Sequence, residues 1–262
     1  MNTAVKNPDN IQAVDIHRHG KLRVRTNHGF PHAQQQHVAV ITMTELASSI
    51  SNFPVVVIKR PEDGRYVLAT MLGLQDGENV YWGPEYWESA YVPLVIRRYP
   101  FALGYDDRAN SSGMLTTCID ISSPSLSETA GTPLFNGEGL PSDMLNGVHR
   151  LLADVYEDEK HTDQFTQTLA AMGLLRPMDI LLQLQNSEVR KITGLMSIDE
   201  EKMLQLSAEQ LKELHTSNYL HACYLISVSM HQLTRLIRLR NQKGAVDQIV
   251  DFRLDFGQKT AA

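Results

Sequence analysis

The chain has 262 residues, 42% of them hydrophobic and 21% charged, with a formal net charge of −6. That balance is ordinary for a folded protein with a substantial core and excludes disorder of the whole chain. The negative charge argues against a general nucleic-acid binder, which needs a basic face.

The polar stretch from Met1 to Val14 has no apolar signal region, and no apolar run approaches the ~20 residues that span a bilayer. Cytoplasmic residence is the expectation, with signal-independent export to the cell surface as an alternative. Residues 1–18 read as a flexible arm, 19–240 as one domain, and 241–262 as a tail.

Lys21 to Thr26 alternates basic and less polar residues, the period of a half-wet strand, and His37 to Thr42 reads as a second strand. A short helix is expected from Thr44 to Ile50, before Pro54. Val55-Val56-Val57-Ile58 is a continuous β-branched run that suits a strand covered on both faces. The turn Pro61-Glu62-Asp63-Gly64 leads to a partner strand, Tyr66 to Leu74, and Gln75-Asp76-Gly77 turns into Val80-Tyr81-Trp82. Met114 to Ile121 is a further strand, followed by a surface loop or linker from Ser122 to Gly139.

From Pro141-Ser142-Asp143 the period becomes helical, with one helix through Tyr156 and another from Thr162 to Met172, closed by Gly173. Ile180 to Leu184 and Val189 to Ile192 read as a hairpin. Ser207 to Gln210 fits a capping box, and a long helix runs from Asn218 to Arg240, its last arginines suiting a helix C-terminus. Ile249 to Leu254 would add a final strand. The expected class is α+β: a mainly antiparallel, sheet-rich N-terminal part (19–121) packed with a mostly helical C-terminal part (140–240).

Several segments together resemble the SapC family. They are His19 to Val24, Asn52 to Val57, Pro133-Leu134-Phe135 with Gly139, Gly194 to Glu200, and the helix carrying Ser227 to Met230 and Leu233. The most specific is Tyr91-Val92-Pro93-Leu94-Val95-Ile96-Arg97-Arg98-Tyr99-Pro100-Phe101. Asn79-Val80-Tyr81 and Met196 depart from the family pattern. The resemblance implies a bacterial protein associated by name with a surface layer. It also implies, by gene association, partners among halogenase-like flavoproteins and outer-membrane receptor systems. It supplies no catalytic residue.

Two constellations stand out. On a strand, Asp15, His17 and His19 would share one side, the donor set of a two-His, one-carboxylate site for Fe or Zn. The plainer reading is an exposed arm whose histidines touch nothing. The second constellation is Trp82, Tyr86, Trp87, Tyr91, Arg97, Arg98 and Tyr99, a binding surface of the aromatic and arginine kind that dominates interfaces. Against it, the aromatics would fill the core while one arginine pairs with Asp106 or Asp107.

Neither cysteine, Cys118 or Cys223, has a metal, redox or nucleophile spacing, and no Gly-x-Ser-x-Gly or phosphate loop occurs. The acidic runs Asp154 to Glu159 and Asp199 to Glu201 read as solvated or capping acids at helix ends. An accessory or interaction protein is the leading expectation, with a metal-binding module or enzyme and an exported surface-layer component as alternatives.

Overall fold

The computed structural model describes residues 10–25, 29–105 and 115–257. In chain order its elements are β1 (Ile11–Ala13), α1 (Ile16–His19), β2 (Arg23–Val24), β3 (Val38–Val40), α2 (Leu46–Ser49), β4 (Val55–Lys59), β5 (Tyr66–Met71) and α3 (Leu94–Arg97). Then follow β6 (Phe101–Tyr105), β7 (Leu115–Asp120), β8 (Leu126–Ser127), β9 (Thr132–Pro133) and α4 (Asp143–Ala171). The chain continues through β10 (Leu175–Leu184), β11 (Val189–Ile198), α5 (Glu200–Met203), α6 (Ala208–Thr216), α7 (Tyr219–Ser229), α8 (Leu233–Gln242) and β12 (Ile249–Asp255).

The main sheet has the order β12-β10-β11-β4-β5-β3 and is antiparallel throughout. The fold is α+β, and β10, β11 and β12 of the second half complete the sheet that β3, β4 and β5 begin. Two three-stranded sheets, β1-β7-β6 and β8-β2-β9, stand beside it. No described helix is long and apolar enough to cross a membrane.

Alternation of side chains explains why β4 is a run of valines. Val55 and Val57 face a core built with Leu68, with Phe165 and Leu169 of α4, and with Cys223 and Ile226 of α7. Val56 faces the opposite core, where Leu233, Leu236 and Ile237 of α8 pack with Phe53 and Tyr81. All three valines are fully buried, and each such side chain contributes about 1.5–3 kcal/mol.

Several elements differ from the sequence expectation. The two helices expected between Met144 and Met172 are one 29-residue helix, α4. Ser142 caps its start by accepting from the Leu145 amide. At its end Gly173, at φ 67°, turns the chain so that its own N–H donates to Ala170 O and the Leu174 N–H donates to Leu169 O. Continuity follows from anchoring at both ends. Leu145 and Leu152 pack with Phe101, Ile119 and Leu134 of a third core, and Phe165 and Leu169 pack beneath the main sheet. The charged run between them is solvent-facing and contains no helix breaker.

The hairpin expected at Ile180–Leu184 and Val189–Ile192 is longer, because β10 and β11 pair from Leu175 opposite Ile198. Val80-Tyr81-Trp82 is a turn, held where the Asn79 side chain accepts from the Tyr81 and Trp82 amides. Within the stretch read as an arm, β1 pairs with β7, and within the stretch read as a tail, β12 pairs with β10. Phe101–Tyr105, which sequence periodicity did not mark, pairs with β7.

Candidate functional site

The Asp15-His17-His19 trio does not lie on a strand. The Asp15 carboxylate accepts from the His17 amide at 2.9 Å and the Arg18 amide at 3.2 Å, so it caps the short helix α1. Helical geometry turns residues two apart to different sides. His17 is exposed, whereas His19 is buried and accepts the Asp15 N–H on Nδ1 at 3.0 Å. Among the described residues no group of three or more His, Cys, Asp or Glu side chains is placed to hold a metal. The strand geometry on which the Fe or Zn expectation stood is replaced by capping.

The aromatic and arginine segment divides in two. Trp87 is 8% exposed, edge-on to Phe30 and stacked on Tyr81, with its indole N–H donating to Ser89 Oγ and Tyr91 O. Tyr91 is half-buried and its hydroxyl donates to Glu45 Oε1 at 2.8 Å; burial and that carboxylate raise the phenol's pKa. Trp82 is half-buried and its carbonyl accepts from Lys243, while Tyr86 is 58% exposed. The inward part therefore behaves as core. Asp106 and Asp107 lie outside the described residues, and Arg98 instead approaches Glu159, Nη1 to Oε1 at 3.9 Å.

Arg97, Arg98 and Tyr99 turn elsewhere, into a pocket of about 380 Å3. That volume falls within the roughly 300–1,000 Å3 usual for ligand sites. Arg25, His32 and Ser125 are its other polar residues, and Phe30, Phe101, Met144, Val148 and Leu151 make up most of its apolar lining. No Asp or Glu is among the described residues that line it. Arg98 also lines a smaller cavity of about 80 Å3, and there the acids collect: Glu45, Glu159 and Asp163, with Arg60. Arg98 thus lines both an acid-bearing cavity and an acid-free pocket.

The positioning of the two arginines begins at Thr42. Thr42 and Glu45 form a capping box at the one-turn 3-10 segment Met43–Glu45. The Glu45 carboxylate accepts from the Thr42 amide (2.9 Å) and hydroxyl (3.3 Å) on Oε2, and from the Tyr91 hydroxyl and the Leu94 amide (both 2.8 Å) on Oε1. The Leu94 amide opens α3, so a buried carboxylate fixes the turn that carries Arg97 and Arg98. After it, Tyr99 joins Pro100 by a cis peptide and donates its hydroxyl to Asp120 at 3.0 Å.

His32 stacks on Tyr99, with ring centroids 4.1 Å apart, and its Nε2–H donates to Ile96 O at 3.0 Å. Burial lowers its pKa from 6.5 to about 4, against the opposing effect of that hydrogen bond. The ring is therefore neutral at pH 7, and the pocket's positive charge is carried by arginine.

Because the folded state holds His32 unprotonated while the unfolded chain binds a proton below 6.5, the group costs nothing above that pH. Stability is expected to fall as pH drops from about 6.5 to 4, by about 3 kcal/mol for this group. Urea titrations across that range check it: His32→Phe, which keeps a ring on Tyr99, should flatten this part of the profile.

Other chemistry-bearing groups have structural duties. Cys118 and Cys223 are free and buried, and burial pushes the Cys223 thiol up to about 12, so Cys223 offers no thiolate. Asp158 accepts from Thr44, Glu157 pairs with Lys160, and Asp199 caps α5.

Sequence reading missed Glu45, whose Thr-x-x-Glu spacing was a legible signal, and Arg240. Arg240 is 2% exposed and donates from Nε to Glu78 Oε1 (2.9 Å), from Nη1 to Asp247 O (2.7 Å) and from Nη2 to Asp247 Oδ1 (2.6 Å). Asp247 also meets Arg190, and Arg240 above all holds its carboxyl down to about 2. Gly73 lets this corner close, since a Cβ there would sit 2.1 Å from the Glu78 carbonyl oxygen.

No curated protein and no solved structure matches this chain. A family model described as SapC matches residues 14–236, a span that takes in β2, the Glu45 latch, α3 and the apolar wall of the pocket. By that match over most of its length, the chain belongs to the SapC family.

Proposed function

We propose that the chain is an accessory binding protein of the cytoplasm, not an enzyme, and that it recognises a protein partner through the face where Arg97, Arg98 and Tyr99 open into the pocket. The observation that carries this reading is the acid-free, arginine-rimmed pocket at the segment most specific to the family resemblance. The Cys223 thiol held protonated and the His32 ring held neutral give it further support, because the first is no activated nucleophile and the second no base poised near pH 7. The gene associations implied by the family name the first partners to try: a halogenase-like flavoprotein and an outer-membrane receptor system.

Arg97 is the residue to change, because it is exposed and among the described residues has no ion pair. Its replacement by alanine is expected to leave the melting temperature nearly unchanged. Co-expression with a tagged halogenase-like flavoprotein of the same gene neighbourhood should retain the wild-type chain, and Arg97→Ala should lower retention at least about tenfold, as an interface arginine does. Equal retention of both proteins would sink the reading.

A further inference from the structure

We infer that the pocket beside Arg97 and Arg98 is a carboxylate site that takes an anionic group borne on an apolar body. The inference rests on the binding reading above and names what is bound.

Charge and shape both point to such a ligand. Arg25, Arg97 and Arg98 line the pocket, and His32, uncharged, is part of the same lining. Their donors are little used by the protein. Arg25 donates to Ser127 Oγ at 3.2 Å, Arg98 meets Glu159 only at 3.9 Å, and Arg97 has no ion pair among the described residues. Planar guanidinium groups with spare N–H donors match a planar carboxylate in a two-bond grip. Phe30, Phe101, Met144, Val148 and Leu151 add hydrocarbon to the same lining, so a small hydrated ion would leave most of the pocket unfilled.

The acids of this region line the neighbouring smaller cavity that Arg98 also borders, and not the pocket itself. An incoming carboxylate therefore meets no like charge on the described lining, and Glu159 partly offsets Arg98, which favours one negative charge over two. This chemistry has two sources, a free medium-chain acid and the C-terminal carboxylate of a partner chain that ends in an apolar residue.

Calorimetric titration of the purified full chain separates them. The probes are octanoate, octanol, a hexapeptide ending in leucine with a free C-terminus, and the same peptide amidated. At least one acid is expected to bind about tenfold or more tighter than its neutral counterpart, since a hydrogen bond to a charged group is worth at least that. Octanoate alone identifies a small acid, and the free peptide alone identifies a chain end; both results support the site. Inorganic phosphate is expected not to displace the bound acid.

Arg97→Ala should weaken the acid about tenfold. Met144→Glu, which puts a carboxylate on the apolar wall, should weaken it further while sparing any octanol binding. Acids that bind no better than their neutral counterparts, displacement by phosphate, or full binding by Met144→Glu would each overturn the inference. A flavoprotein retained through Arg97 when no carboxylate binds overturns this inference and leaves partner recognition standing. Carboxylate binding without any retained flavoprotein does the reverse.

Discussion

Arg240→Met is expected to destabilise the protein by about 3–5 kcal/mol, read as a lower urea midpoint at unchanged slope. The guanidinium is almost fully buried and satisfies three acceptors on two loops, the Glu78 carboxylate and both the carbonyl and the carboxylate of Asp247. Methionine fills much of the same space, so the loss comes from Glu78 stripped of its cation and Asp247 left with Arg190 alone, not from a cavity. Adding Glu78→Gln to Arg240→Met removes the stranded Glu78 charge and should recover part of the loss, a coupling that single variants cannot display. A cost under about 1 kcal/mol would mean the acids simply rehydrate, and the network would then not be holding the corner together. The pH dependence has a definite sign. Asp247 is held down to about 2, so its contribution is complete above the ordinary carboxylate range and is lost as pH falls from about 4 towards 2.

Glu45→Ala has the second large effect, and it reaches beyond stability. Two backbone amides and two hydroxyls converge on this carboxylate, and its removal strands the Thr42 and Leu94 amides together with the Tyr91 hydroxyl. Each buried donor left unmade costs about 1–3 kcal/mol, and the capping box is lost as well, so a total of about 3 kcal/mol or more is expected. Glu45→Gln keeps one accepting oxygen but turns an amide towards another donor, and should fall between alanine and wild type. Since the Leu94 amide opens the turn carrying Arg97 and Arg98, both variants should also weaken ligand or partner retention, measured at a temperature where they remain folded. A variant that unfolds earlier yet binds normally when folded would show that α3 keeps its position without the latch.

Much of the fold was legible because local rules and tertiary demands agree. Val55 to Ile58 announced a doubly covered strand, Ser207 and Gln210 announced a helix start, and Gly173 announced a helix end; each does what it signalled. The failures share a cause. His17 and His19 alternate like strand residues, but Asp15 supplies a helix cap, and one side chain bonding two amides outweighs a two-residue pattern. The three late arginines looked alike at a helix end, yet Arg240 falls on the apolar face set by Leu233, Leu236 and Ile237, and that spacing marked it as buried. The pocket was only partly legible. Arg97, Arg98 and Tyr99 were singled out, but Arg25, His32 and the Met144 to Leu151 wall come from distant stretches that no period connects.

The unbroken course of α4 has a mechanical meaning. At 1.5 Å per residue its 29 residues reach about 44 Å, from the pocket wall to the underside of the main sheet. With no glycine or proline in the exposed middle to act as a joint, the helix is a tie-rod between two cores. Neither core can come apart without baring one end of the same rod, so the small sheets and the large one are expected to melt in a single calorimetric transition.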